Sequence, residues 1–110
     1  MEKDFYSVRC IFKHENLNND SKPVYEERIT LWQASSFEEA VIMAENEAGS
    51  YARDIGCLYT GLSQAFHFLK NEITSGVEVF SLMRESDKST KDYLDSFFDT
   101  GNEKQRNLYT

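Results

Sequence analysis

The chain has 110 residues, of which 40% are hydrophobic, 14% aromatic and 28% charged, the proportions of one ordinary folded domain and too few residues for two independent cores. Nineteen acidic against twelve basic side chains leave a formal net charge of −7, which argues against nucleic acid as a partner, because binding polyphosphate needs a basic patch. No apolar run approaches the ~20 residues of a membrane helix, and Met1-Glu2-Lys3-Asp4 is neither the basic start nor the apolar stretch of a secretion signal, so a cytoplasmic protein without a membrane partner is expected.

Phe5 to His14 alternates, with Tyr6, Val8, Cys10 and Phe12 on one face and Ser7, Arg9 and Lys13 mainly on the other, which predicts a half-buried strand. Turn formers from Asn16 to Pro23 end it, and residues 15–23 are expected to be a flexible loop. Val24 to Ala34 alternates again: Tyr25, Ile29 and Leu31 share one face, and Glu26, Arg28, Thr30 and Trp32 the other. The two strands are expected to form a hairpin.

Ser36 followed by Glu39 is a capping box at a helix start. Phe37, Ala40, Val41, Ala44, Ala48, Tyr51, Ala52 and Ile55 then make one apolar stripe, and Gly56 offers the left-handed position that ends the helix. Small alanines along the stripe let the helix sit close on a sheet. Glu38, Glu45 and Glu47 are expected on its solvated side, with Glu39 in the cap.

From Leu58 to Leu69 the set Leu58, Leu62, Phe66 and Phe68 alternates with Tyr59, Gly61, Ser63, Ala65 and His67. The first set is the greasier, whereas Tyr6 lies on the greasy face of its own strand. A bulge near Gly61 is expected to reconcile the two. Val77 to Met83 is apolar on both parities, the pattern of a central strand covered on both sides. Ser89 with Asp92 opens a second helix that carries Tyr93, Leu94, Phe97 and Phe98 inward until Gly101. Residues 102–110 read as a polar tail.

Held at a step of 53 residues, Tyr6 meets Tyr59, Ser36 meets Ser89 and Glu39 meets Asp92, a repeat of architecture rather than of sequence. The simplest packing is a single α+β domain over residues 1–110. It has a four-stranded antiparallel sheet with both helices on one face, in the order ββαββα. Short right-handed crossovers give strand order 1-2-4-3, a circular permutation of the ferredoxin-like plan. The other face of that sheet carries no helix.

No phosphate-binding glycine loop, zinc-finger spacing, metalloprotease helix or nucleophile elbow occurs, so no catalytic residue, metal ligand or cofactor is assigned. Cys10 and His14 are four residues apart on one strand, roughly 13 Å and too far to share an ion. Cys10 and Cys57 read as reduced, buried thiols. The chemically loaded stretch is Glu26-Glu27-Arg28, set beside Arg9 across the hairpin; opposite charges facing each other on a sheet are first of all pairing devices. A candidate ligand site is an anion or carboxylate pocket on the open face formed by Arg9, Glu26, Arg28, Trp32 and His67.

Phe5-Tyr6-Ser7-Val8, Tyr25-Glu26-Glu27-Arg28-Ile29, Ala34-Ser35-Ser36-Phe37-Glu38-Glu39-Ala40 and Gly76-Val77-Glu78-Val79-Phe80-Ser81 together resemble an uncharacterised bacterial family, domain of unknown function 4288, over roughly Phe5 to Met83. The resemblance implies a small soluble protein and supplies no catalytic residue. The functional expectation is a non-enzymatic protein-interaction module, homodimeric through the open sheet face or an edge. It is motivated by the missing catalytic motifs, the acidic charge and the surplus of aromatics such as Phe5, Trp32, Tyr59 and Phe80. The alternative is a binder of a small anionic ligand, or a minor enzyme, using the open face.

Overall fold

Alternation sorts the side chains of the first strand between two environments. In the computed structural model, which describes residues 3–15, 22–68, 72–98 and 105, β1 (Asp4–His14) buries Tyr6, Val8, Cys10 and Phe12 to 4% exposure or less. β2 (Val24–Ala34) pairs with it antiparallel along its whole length, from Asp4 opposite Ala34 to His14 opposite Val24, with no break in register. The expected loop at 15–23 and tail at 102–110 fall mostly outside the described residues.

Helix α1 (Phe37–Ile55) covers the buried face of β1. Its start is set by Ser36, whose Oγ accepts the Glu39 N–H at 3.1 Å, while the Glu39 carboxylate reaches back to the Ser35 hydroxyl at 3.0 Å. Its end is Gly56, at φ +76°, whose N–H donates to the Ala52 carbonyl at 2.9 Å. Ala40, Ala44, Ala48 and Ala52 recur every fourth residue and are all buried. A methyl at each contact lets the helix backbone approach the sheet, so the core is Tyr6, Val8, Cys10, Phe12 and Ala34 against four alanines.

β3 (Leu58–His67) pairs antiparallel with the other side of β1, giving the order β2-β1-β3. Its register breaks around Gly61, which takes φ +90°, at the expected place, but the bulge does not reconcile the two greasy faces. Between the pairs Cys10–Ser63 and Phe12–Tyr59, β1 advances two residues and β3 four, so the bulge holds two extra residues. An even insertion keeps the parity. Tyr59, Ser63, Ala65 and His67 therefore all face α1, and the greasier Leu58 and Leu62 stay on the open face, more than half exposed.

Two parts of the expected architecture are corrected. Among the described residues the sheet is three-stranded, not four-stranded in a ββαββα order of 1-2-4-3, because Val77–Met83 joins no ladder. That segment crosses the open face instead of lying beside an edge: the Ser7 hydroxyl donates to the Val79 carbonyl, and the Phe80 ring packs 6.2 Å from that of Phe66. Only Val77 and Phe80 of the segment are partly covered, while Val79, Leu82 and Met83 stay exposed, so the expected cover on both sides is not found.

Nor do both helices lie on one face. Helix α2 (Thr90–Phe97) is capped by Ser89, whose Oγ accepts the Asp92 N–H at 3.2 Å, yet none of its residues is buried and it packs on no strand and not on α1. Eight residues make too short an apolar stripe to compete for the sheet, and the ring of Tyr93 packs on Phe97 and Phe98 of its own turn. The helix ends at Phe97, and the expected stop at Gly101 lies outside the described residues. The second half thus does not repeat the first.

Candidate functional site

Where α1 crosses β2, the strand's alternation places Glu26, Arg28, Thr30 and Trp32 on the helix side. The helix supplies Glu47 and Tyr51, one turn apart. Both guanidinium nitrogens of Arg28 donate to the two Glu47 oxygens, at 2.5 and 2.9 Å, and the guanidinium lies 3.9 Å from the centre of the Tyr51 ring. The Tyr51 hydroxyl donates to the Glu26 carboxylate at 2.9 Å, and His14 Nε2 lies 2.8 Å from the same carboxylate. The result is one continuous polar seam, His14–Glu26–Tyr51–Arg28–Glu47, along the edge of the core.

The seam perturbs its members as charge-assisted hydrogen bonds should. The bond from Arg28 holds the Glu47 carboxyl below its usual range, and the same bond raises Arg28 further. Tyr51 is raised by its bond to Glu26. On the β3 side, Glu45 accepts from the Tyr59 hydroxyl at 3.1 Å and from Ser63 at 3.5 Å. Burial pushes up both the Tyr59 phenol and the neighbouring Cys10 thiol. Among the described residues no buried side-chain polar atom lacks a partner, and both cysteines are free.

The five residues of the candidate pocket are divided by the sheet. Glu26 and Arg28 meet in the seam. Trp32 shares their face but donates its Nε1–H to Thr30 Oγ1 at 2.6 Å. His67 lies on that face across β1, 2.9 Å from Asp4 Oδ2 and stacked on Tyr6 with ring centres 4.6 Å apart. Arg9 points to the opposite face, where its guanidinium donates to Gln64 and, at 2.9 Å, to Glu27, and lies 4.9 Å from the centre of the Phe80 ring.

Both arginines are thus already neutralised, and an incoming anion would have to displace a carboxylate or an amide. The reading of α1's glutamates as a solvated row is corrected for Glu45 and Glu47. Each flanks the alanine line by about 100° of helix rotation, on opposite sides, and so reaches a different strand. Tyr51 was assigned only to the apolar stripe. Its position four residues after Glu47 was the available signal that its hydroxyl ends beside the carboxylate of the neighbouring strand.

The open face has two zones. At one end Phe66, Phe68 and Phe80 pack together over Ser7, which is 1% exposed. Elsewhere Tyr25, Ile29 and Leu31 of β2 and Leu58 and Leu62 of β3 are each 47–58% exposed. Among the described residues no strand pairs with the outer edge of β2 or of β3, no three His, Cys, Asp or Glu side chains group as metal ligands, and no helix is long and apolar enough to cross a membrane.

A family model described as Domain of unknown function (DUF4288) matches residues 5–60. That span is just over half of the chain and runs from β1 into the start of β3. No curated protein and no solved structure matches.

Proposed function

We propose that this chain, which belongs to the family of Domain of unknown function DUF4288, is a protein-interaction module without catalytic activity that works as a homodimer in the bacterial cytoplasm. The observation that carries this reading is the set of half-exposed apolar side chains on the open face, Tyr25, Ile29 and Leu31 on β2 and Leu58 and Leu62 on β3, which flank Arg9 and Lys13 of β1. Ile29 and Leu31 sit together on β2, and large apolar side chains left this exposed on one sheet face often mark an interaction surface. The acidic charge adds solubility elsewhere on the surface, and two free cysteines suit a reducing compartment.

The alternative of a small anionic ligand draws less support, since Arg9 and Arg28 are occupied by Glu27 and Glu47 on opposite faces of the sheet. Sedimentation velocity across a dilution series tests the homodimer. The expected result is a concentration-dependent dimer at micromolar chain. A single monomeric species at ~100 μM, where any dimer worth more than about 5.5 kcal/mol would be half formed or better, would overturn it.

A further inference from the structure

β2 is eleven residues long and runs against β1 with no shift of register, so its outer edge is straight. Among the described residues nothing pairs with that edge. Soluble proteins guard a free edge with lysine, proline, a bulge or a short strand. From Ile29 to Ala34, Ile-Thr-Leu-Trp-Gln-Ala, β2 has none of these: six uncharged residues, three of them strong β formers, lie in a row. The other free edge, on β3, is interrupted by the bulge at Gly61.

Resting on the interaction-module reading and naming its partner surface, we propose that two copies of the chain join edge to edge through β2, antiparallel, about a twofold axis at Thr30. The union makes one six-stranded sheet. An axis normal to the sheet keeps the faces together, so both α1 helices lie on the same side and the two open faces form one surface. The occupant of the edge is thus a second copy, with the isologous pairing such an axis requires.

A second copy fits the edge without a charge clash, and charge together with apolar matching on the open face sets the register. With the axis at Thr30, Thr30 faces itself, Ile29 faces Leu31, Arg28 faces Trp32 and Glu27 faces Gln33, so no like charges meet. An axis at Glu27 or Arg28 would set identical charges against each other. An axis at Ile29 would put Glu27 opposite Leu31 and Glu26 opposite Trp32, and one at Leu31 would leave Ile29 opposite Gln33. The Thr30 register also brings Ile29 and Leu31 of both copies together on the open face, where each copy leaves them half exposed.

Cross-linking of the full chain tests the register. Across the axis the two Thr30 Cα atoms would lie ~4.5–5.5 Å apart, within the range a disulfide spans, whereas the two Tyr25 Cα atoms would be roughly 34 Å apart. Mild oxidation of Thr30→Cys is expected to give a covalent dimer on a non-reducing gel, and Tyr25→Cys no more than the unmodified chain. Leu62→Asp, on the open face of β3, is expected to leave the dimer in place. Hydrogen exchange of the unmodified chain needs no substitution: raising its concentration should slow exchange in Ile29–Gln33 and not in β3. A dimer that Leu62→Asp dissolves, with no cross-link through Thr30 and no protection of β2, would overturn the edge pairing and leave the interaction-module reading standing. A chain monomeric at ~100 μM would overturn both.

Discussion

Arg28 and Glu47 form the best-placed ion pair on the helix side, doubly hydrogen-bonded and with side chains only 26% and 33% exposed. Removing one partner leaves the other half-desolvated, so Glu47→Ala is expected to cost about 1–2 kcal/mol in urea unfolding. Arg28→Met, which leaves no orphaned guanidinium and keeps the stem packed on Tyr51, should cost less. The pH dependence has a definite sign. Glu47 titrates lower in the folded chain than its usual 4.5, so its stabilisation is complete above about pH 4.5 and fades as the pH falls through the depressed value. Between pH 5 and 3 the unmodified chain should therefore lose stability more steeply than Glu47→Gln. At the alkaline end the folded chain holds the protons of Cys10 and Tyr59 past their usual 9.0 and 10.0, because packing against the core desolvates both. That contribution is whole below pH 9 and lost as the pH rises above it, so unfolding measured at pH 8 and 10.5 should show a fall that Tyr59→Phe makes shallower. Strand alternation alone was enough to place Glu26 and Arg28 on one face. It also separates Arg9 from them, since an odd position opposite Ile29 must point the other way, and sharing a hairpin does not put side chains on one side of it.

β1, β2 and α1 were legible because each carries a complete local signal: a period of two, or a cap, a stripe and a stop. The cap on α1 is tied to the core, and Ser36→Ala is expected to lower stability by about 1 kcal/mol. Ser89→Ala makes the same chemical change at α2, where no residue is buried, and should leave the global unfolding midpoint within measurement error. The pair of variants asks whether two similar caps hold unequal amounts of structure. Packing of α1 gives a sharper test. Ala48 is fully buried where the helix lies on β1, and Ala48→Leu would drive about three carbons into a closed contact, for an expected loss of about 1–3 kcal/mol. What periodicity could not reveal was the partner of an apolar segment. Val77–Met83 has the composition of a central strand, yet it lies across the sheet with Val79, Leu82 and Met83 exposed, so its composition did not report its cover. The place of the bulge was legible from Gly61 in the strand pattern, though the bulge does not turn the greasier set inward as expected. Its length was not legible, and the parity of that length decides which residues of β3 reach solvent.

A three-stranded sheet with one helix leaves one face to be closed by something else, and at one end the chain closes it with its own residues. Ser7 lies on that face yet is 1% exposed, held to the Val79 carbonyl and roofed by Phe80, which packs on Phe66 and lies under the Arg9 guanidinium. If this cover belongs to the folded core, Phe80→Ala should lose part of an aromatic burial together with the stacked cation, for an expected cost of about 2 kcal/mol, with the Ser7 amide exchanging faster. Phe97→Ser removes a ring of the same size from α2, where it is half exposed, and should fall within about 0.5 kcal/mol of the unmodified chain. Equal costs for the two would mean that α2 packs on the domain as closely as the cover does. Unequal costs in the expected order would set the cooperative unit as β1, β2, α1 and β3 together with the segment around Phe80, a unit that leaves the β2 edge free for a second copy.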